Sequence, residues 1–182
     1  MLDRQPVLED EHVRLRPLSP DDWDALFAVA SDPLIWEQHP AHDRWQESVF
    51  RAFFEDALAN KGALIVLDAA TGAVIGSSRF EGLKEAEGGS VEIGWTFLAR
   101  SHWGGKYNHE MKRLMLAHAL ASVAEVRFLV GETNTRSRTA LERIGAQLTD
   151  RREERVMADG TVIPHLTYAI TRDSFERSPL AR

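Results

Sequence analysis

The chain has 182 residues, 43% apolar and 27% charged, the composition of a globular protein long enough for one domain over residues 1–182 and too short for two. Its formal net charge of -6 excludes a protein that holds nucleic acid chiefly by neutralising phosphates, and the absence of cysteine excludes disulfide and thiolate chemistry. The seven histidines lack metal-ligand spacing such as HExxH, so no metal is expected; no apolar signal core opens the chain and no run reaches the roughly 18 apolar residues that span a bilayer, so the expected location is cytoplasmic, with no membrane partner.

Residues 12–18, HVRLRPL, alternate apolar and polar, which predicts a half-buried strand with Val13, Leu15 and the Pro17 ring on one face. Ser19-Pro20-Asp21-Asp22 then offers a cap, a first-turn proline and early acidic residues, all of which suit the free amides and positive end of a helix. Trp23, Leu26, Phe27 and Ala30 continue that helix. A second helix is predicted over residues 45–60, where Val49, Phe53, Phe54, Ala57 and Leu58 recur at helical spacing and Asn60-Lys61-Gly62 stops it.

From residue 63 the period changes. ALIVLD suits a strand buried on both faces, AATG is a turn, AVIGSSRFEG is a second strand, and SVEIGWTFL, residues 90–98, is a third; the three predict an antiparallel meander. Next, HWGGKYNHEMKRLML passes from two glycines into a helix on which Met111, Leu114, Met115 and His118 form a core stripe beside Leu116 and Leu120, with Lys112 and Arg113 read as a solvated face. VRFLVGE, residues 126–132, is a strand, residues 134–144 a helix closed by Gly145, and residues 147–157 and 162–171 a hairpin turned by Ala158-Asp159-Gly160. The order β-α-α-β-β-β-α-β-α-β-β predicts an α+β, three-layer domain with a mixed, mostly antiparallel sheet flanked by helices.

Gly104-Gly105 at a helix mouth has two readings. It is either a tight strand-to-helix turn or a site where free backbone amides meet an anion, most plausibly a phosphate, that side chains would hold away. GGKYN lacks the GxxxxGK[ST] spacing of a nucleoside-triphosphate loop, and no GxGxxG is present. On SVEIGWTFL, strict alternation puts Val91, Ile93, Trp95 and Phe97 on one face and Glu92, Gly94 and Thr96 on the other.

Taken together, VEIGWTFL, then RSHWGGKYNHEMKRLML, then a strand, then NTRSRTALERIGA, resemble the GNAT superfamily of acyl-coenzyme A N-acyltransferases, and within it the subgroup like the ribosomal-protein N-terminal acetyltransferases. The resemblance extends from HVRLRPLSPDD to the last strand. It implies that backbone amides around Trp103, Gly104, Gly105, Lys106, Tyr107 and Asn108 cradle the pyrophosphate of acetyl-CoA. It also implies that the pantetheine arm pairs with the backbone of Trp95, Phe97 and Leu98, where two strands splay apart. The family pattern Gly-x-Gly-x-Ala is not kept: Lys106 stands for the second glycine and Asn108 for the small residue.

Acyl transfer to an amine requires that a proton leave the amine and favours a proton donor for the departing thiolate. Glu92 is the candidate base, with Glu81, Glu132 and His102 as rivals and a structural carboxylate as the alternative. Many superfamily members place a tyrosine donor where this chain has Leu141, so the resemblance moves that role to Ser137, with Asn134 as helix cap and cofactor contact and Arg138 either on the phosphates or in solvent. It also sets Trp23, Phe27, Trp36, His39, His42, Trp45 and Arg79 near the acceptor cleft, of which Trp36, His39 and Arg79 are the substrate candidates; the tryptophans are equally suited to filling core.

The expected function is acetyl transfer from acetyl-CoA to a primary amine on a protein N-terminus, peptide or small molecule, directly, since no cysteine can carry the acyl group. Two alternatives stand beside it. One is a non-catalytic acyl-CoA sensor, the other an aminoglycoside-type antibiotic acetyltransferase drawn to the -6 charge and the acidic SPDD and EQHP segments. A homodimer is compatible with either role.

Overall fold

The computed structural model describes residues 1–157 and 159–181, without the side chain of Glu87. Eight strands form one sheet: β1 (Leu8–Glu9), β2 (Val13–Pro17), β3 (Ala63–Asp68), β4 (Val74–Lys84), β5 (Ser90–Leu98), β6 (Glu125–Gly131), β7 (Gln147–Val156) and β8 (Val162–Thr171). Their spatial order is β1-β2-β3-β4-β5-β6-β8-β7. Every neighbouring pair is antiparallel except β5 and β6, which run parallel.

Helices α1 (Trp23–Ala30) and α2 (Glu47–Asn60) cover one face, and α3 (Lys106–Leu120), α4 (Thr135–Arg143) and α5 (Arg172–Glu176) belong to the other. The α1 and α2 face is an aromatic cluster in which Trp23 stacks on Phe27 at 5.2 Å, and Phe50 and Trp36 pack on Phe97 at 5.8 and 5.0 Å. The α3 face is aliphatic: Met111, Met115, Leu116, Ala119 and Leu120 meet Val13, Leu15, Val91 and Ile93. Burying such side chains contributes about 1.5–3 kcal/mol each, so this stripe rather than helix propensity holds α3 in place.

β3 lies between the two cores. Leu64 and Val66 face the aliphatic one and Ala63 and Ile65 the aromatic one, as its unbroken apolar run predicts. The Ser19 cap forms, and reciprocally the Ser19 N–H donates to Asp22 Oδ2 at 2.8 Å, although the first turn is a 3-10 turn (Pro20–Asp22) before α1 begins. Lys61, with φ 52°, ends α2 in the left-handed conformation.

Several expectations need correction. The second helix starts at Glu47 rather than residue 45, and β1 and α5 were not foreseen. His118 is only half-buried, its Nε2 donating to the Asp3 carbonyl at 2.7 Å, because the core stripe of α3 is rotated toward Leu116, Ala119 and Leu120. Lys112 is no solvated residue: it is 6% exposed, and its Nζ donates to Thr96 Oγ1 at 2.9 Å. Arg113, also read as solvated, is half-buried and ion-paired with Asp10. In the last hairpin Ala158 lies outside the described residues, while Met157 N donates to the Thr161 carbonyl at 2.8 Å and Gly160 takes φ 85°.

Candidate active site

The site begins with one extra residue in β5. Arg79 of β4 lies opposite Gly94 and Ser77 opposite Phe97, so two steps along β4 match three along β5. Trp95 absorbs the excess with φ 52°, a left-handed conformation that costs a non-glycine residue on the order of 1–3 kcal/mol. Its ring lies within reach of two guanidinium groups, 4.7 Å from Arg79 and 5.3 Å from Arg155. The bulge also reverses the alternation: Val91 and Ile93 enter the aliphatic core, whereas Trp95 and Phe97 join the aromatic one. The strict alternation read from SVEIGWTFL therefore fails after Gly94, and Thr96 reaches Lys112 on α3 instead of sharing a face with Glu92.

β6 leaves β5 at the same place. The two pair only from Ser90–Glu92 to Glu125–Arg127, so the β5 edge beyond Glu92 has no strand beside it. The splay opens a cavity of about 1680 Å³, more than one drug-sized ligand needs. Its lining brings together most of the expected residues: Glu92, Trp95, Phe97 and Leu98 from β5; Trp103, Gly104, Gly105, Lys106 and Asn108 from the mouth of α3; Asn134 and Ser137 from the start of α4; and Trp36, His39 and His42 from the loop after α1.

Three expected residues stand elsewhere. Tyr107 turns its ring toward His102, 4.6 Å away, and its hydroxyl toward Asp68, since position two of α3 points back at the sheet. Arg138 donates to the Glu132 carbonyl at 3.0 Å and to the Tyr168 hydroxyl at 3.3 Å, one helical step away from the cavity. Arg79, only 1% exposed, lies behind Trp95, where it bonds Asp56 at 2.8 Å and supports the bulge instead of lining the cavity. Trp23 and Phe27 fill core, and Trp45 is exposed.

At the mouth of α3, Gly104 and Gly105 take φ 105° and 118°. A Cβ at either would meet nothing within 4 Å, so glycine is required by conformation and the space beside the turn is open. Among the described residues no side chain caps this helix, which leaves its first-turn amides directed at that space. The turn is braced by Trp103, whose indole Nε1 donates to the Leu98 carbonyl at 2.9 Å and whose face carries the Arg136 guanidinium at 4.2 Å. Arg136 lines the cavity, whereas the resemblance pointed only to Arg138 as a phosphate contact. An anionic phosphate fits this cradle.

Glu92 is the buried carboxylate of the cavity, 8% exposed, with both oxygens 3.5 Å from Arg155 Nη2. Burial raises its pKa above the usual glutamate value, and nearby Glu153 and Glu81 add to the rise while Arg155 opposes it. Its rivals serve elsewhere: Glu81 bonds Arg79, Glu132 pairs with Arg152, and His102 pairs with Asp68 at 3.0 Å. Asn134, 3% exposed, caps α4 by accepting from Ser137 N at 3.3 Å. The Ser137 hydroxyl forms no hydrogen bond with another described residue and borders the cavity.

Two neutral histidines flank these groups. Burial, reinforced by Arg44, drives His39 down to about 3; its Nδ1 accepts from Ala41 N at 2.9 Å, so Nε2 holds the proton. Burial also lowers His165, whose Nδ1 donates to the Ile163 carbonyl at 2.9 Å, leaving Nε2 as an acceptor. Lys112 completes the lining, its ammonium pulled to about 7 by burial.

Although the chain is anionic overall, Arg44, Arg136, Arg155, Lys106 and Lys112 border this cavity against the carboxylates of Glu92 and Glu37. Among the described residues no group of three or more acidic, histidine or cysteine side chains is arranged to hold a metal, and no helix is long and apolar enough to cross a membrane.

Residues 12–147 match a family model described as an acetyltransferase (GNAT) domain. A solved structure from T. thermophilus, described as a candidate acetyltransferase, is 26% identical, with a TM-score of 0.78 over 94% of this chain and 92% of that chain. The structure of Mycobacterium smegmatis RimJ in complex with CoA-disulfide is 20% identical, with a TM-score of 0.72 over 93% of this chain and 86% of that chain. The ribosomal-protein-S5-alanine acetyltransferase from Vibrio fischeri is 13% identical, with a TM-score of 0.68 over 94% of this chain and 99% of that chain. The latter two are likenesses of fold.

Proposed function

The chain belongs to the GNAT acetyltransferase family, and on that premise we propose that it is an N-acetyltransferase acting directly on a primary amine, with a role for each residue of the cavity. The observation that carries the reading is convergence. An uncapped Gly104-Gly105 helix mouth, the unpaired edge of β5 and a buried carboxylate open onto one cavity.

The first-turn amides of Lys106, Tyr107 and Asn108 would hold the pyrophosphate, and Arg136 and Lys106 would add charge beside it. Gly94 to Leu98 would offer backbone groups to the pantetheine amides as a missing strand would. When bound, acetyl-CoA supplies an acetyl group already activated as a thioester. Glu92 would take the amine proton, directly or through a water; burial raises its pKa and so makes it a stronger base than an exposed glutamate, while the adjacent Arg155 favours its charged form. The Ser137 Oγ–H would pass its proton to the departing sulfur, and Asn134 would hold the start of α4, and with it Ser137, in position. With no cysteine, no enzyme-bound thioester is open to this chain.

Likeness of fold to RimJ and to the S5-alanine acetyltransferase supports a protein or peptide N-terminus as one acceptor class, reached in the cytoplasm. The cationic lining opposes a polycationic aminoglycoside. Asp22, part of the acidic SPDD segment, is already paired with Arg16 at 2.8 Å.

Calorimetry of the purified chain with CoA and acetyl-CoA, followed by a thiol-release assay with an amine panel, tests this reading. Micromolar binding with turnover is expected. Absence of binding at high micromolar cofactor refutes it, and binding without turnover on any amine leaves the non-catalytic sensor instead.

A further inference from the structure

Arg44 borders the cavity without an acceptor of its own. Its guanidinium stacks 4.8 Å from the Phe53 ring centre and 5.6 Å from that of Trp36, so two aromatic faces fix its plane. Yet its side chain forms no hydrogen bond or ion pair with any described residue: of the two carboxylates near enough to favour its charge, Asp56 is engaged by Arg79, and Asp43, the preceding residue, is not within ion-pair distance of it. Burial and the nearby charges of Arg79 and Arg155 lower the Arg44 pKa to about 10, against the opposing pull of Asp43 and Asp56, so the carboxylates present compensate this cation only in part. In the same corner Arg79 Nη2 is buried with no partner among the described residues, and neutral His39 keeps its Nε2–H.

A half-buried guanidinium held in place by aromatic rings, with its N–H edge unused, is built to receive a planar, bidentate anion. We propose that the acceptor amine carries a carboxylate, and that Arg44 binds this group while Glu92 receives the amine. The inference rests on the acetyl-transfer reading and adds a substrate class to it. Glu92 and Arg44 border one cavity, which Arg155, in contact with both Glu92 and Trp95, also lines. The carboxylate has two possible sources: the main-chain group of a free amino acid, or an acidic side chain at a peptide N-terminus.

The test compares matched acceptors on the whole chain with acetyl-CoA: alanine against alaninamide, Glu-Ala-Ala-amide against Gln-Ala-Ala-amide, and spermidine as a polycation. The carboxylate member of at least one pair should exceed its neutral partner by about 10- to 100-fold in kcat/KM, chiefly through KM. The pair that responds identifies the source. Arg44→Met should erase the preference and Arg44→Lys restore part of it. Equal rates on acids and amides, faster turnover of spermidine, or an unchanged preference in Arg44→Met overturns the inference while leaving acetyl transfer intact. The matched pairs need no variant, so a misfolded Arg44→Met does not spare the idea. Where no acceptor turns over, calorimetry of glutamate and alanine on CoA-loaded protein decides, and absence of heat counts against it. Failure of acetyl-CoA itself to bind refutes the underlying reading instead.

Discussion

Replacing Lys112 by methionine should make the protein more stable, and by an amount that depends on pH. The amine sits at 6% exposure against Phe128, with one hydrogen bond, to Thr96, and no paired carboxylate among the described residues. Burial moves its pKa from an ordinary 10.5 to about 7. At about 1.4 kcal/mol for each pH unit, holding the ammonium below pH 7 costs the folded state about 5 kcal/mol. The sign follows from proton counting. Between pH 7 and 10.5 the unfolded chain binds the proton and the folded chain does not, so wild-type stability rises across this window and the penalty is gone above it. From about pH 6.5 to about pH 9.5 the gain is about 3 kcal/mol, or about 6–12 °C in Tm for a chain of this size. Methionine has similar volume and no proton to lose. Thermal unfolding of wild type and Lys112→Met at both pH values should give curves that converge as pH rises, with the variant ahead at the acidic end, and other titrating groups cancel in the difference. Parallel curves would mean that Lys112 finds a counterion or water that the described side chains do not supply.

Three further outcomes follow from the site. Gly105→Ala, forced to keep φ near 118°, should lose about 1–2 kcal/mol of stability and weaken CoA binding at least about tenfold by placing a methyl group in the phosphate space; unchanged calorimetric affinity would remove that turn from the cofactor site. Glu92→Gln should lower kcat about 100- to 1,000-fold, and the wild-type acid limb, set by a carboxylate raised above the ordinary glutamate range and active only when ionised above that pKa, should vanish from the pH profile; a surviving limb would transfer the base role, with His165 Nε2 next in reach of the cavity. Ser137→Ala should reduce turnover while leaving CoA affinity within about twofold, and full turnover would discard the hydroxyl as donor.

Cavity electrostatics depend on the fold more than on composition. A chain of net charge -6 places Arg44, Arg136 and Arg155 along one cleft, because the 36–44 loop, the start of α4 and the β7–β8 hairpin converge there. Net charge governs long-range encounter, whereas the few groups inside a low-dielectric cleft govern what is held.

Local signals sufficed wherever a short stretch decides its own conformation. The Ser19 cap, the doubly buried ALIVLD strand, the bounds of SVEIGWTFL and VIPHLTYAIT, and the glycine turn opening α3 are each set by hydrogen-bonding or burial needs within a few residues. Glu92 and Ser137 could likewise be placed on the cavity lining once the order of strands was known. What the chain alone could not disclose are pairings between distant segments. The bulge at Trp95 exists because β4 holds Arg79 and Ser77 two residues apart against three steps of β5, and a period-2 reading has no means of registering an inserted residue. Lys112 and Arg113 look alike as neighbouring cations on a helix, yet α3 docks so that one points into the splay beside Thr96 and the other outward to Asp10. Arg136 and Arg138 divide in the same way, two positions apart and therefore on different sides of α4. Residue type and spacing determine which elements form and which chemistry is available; only packing of the sheet against its helices decides which cations are desolvated and which carboxylate faces the cavity, since burial is a property of surroundings that no local window contains.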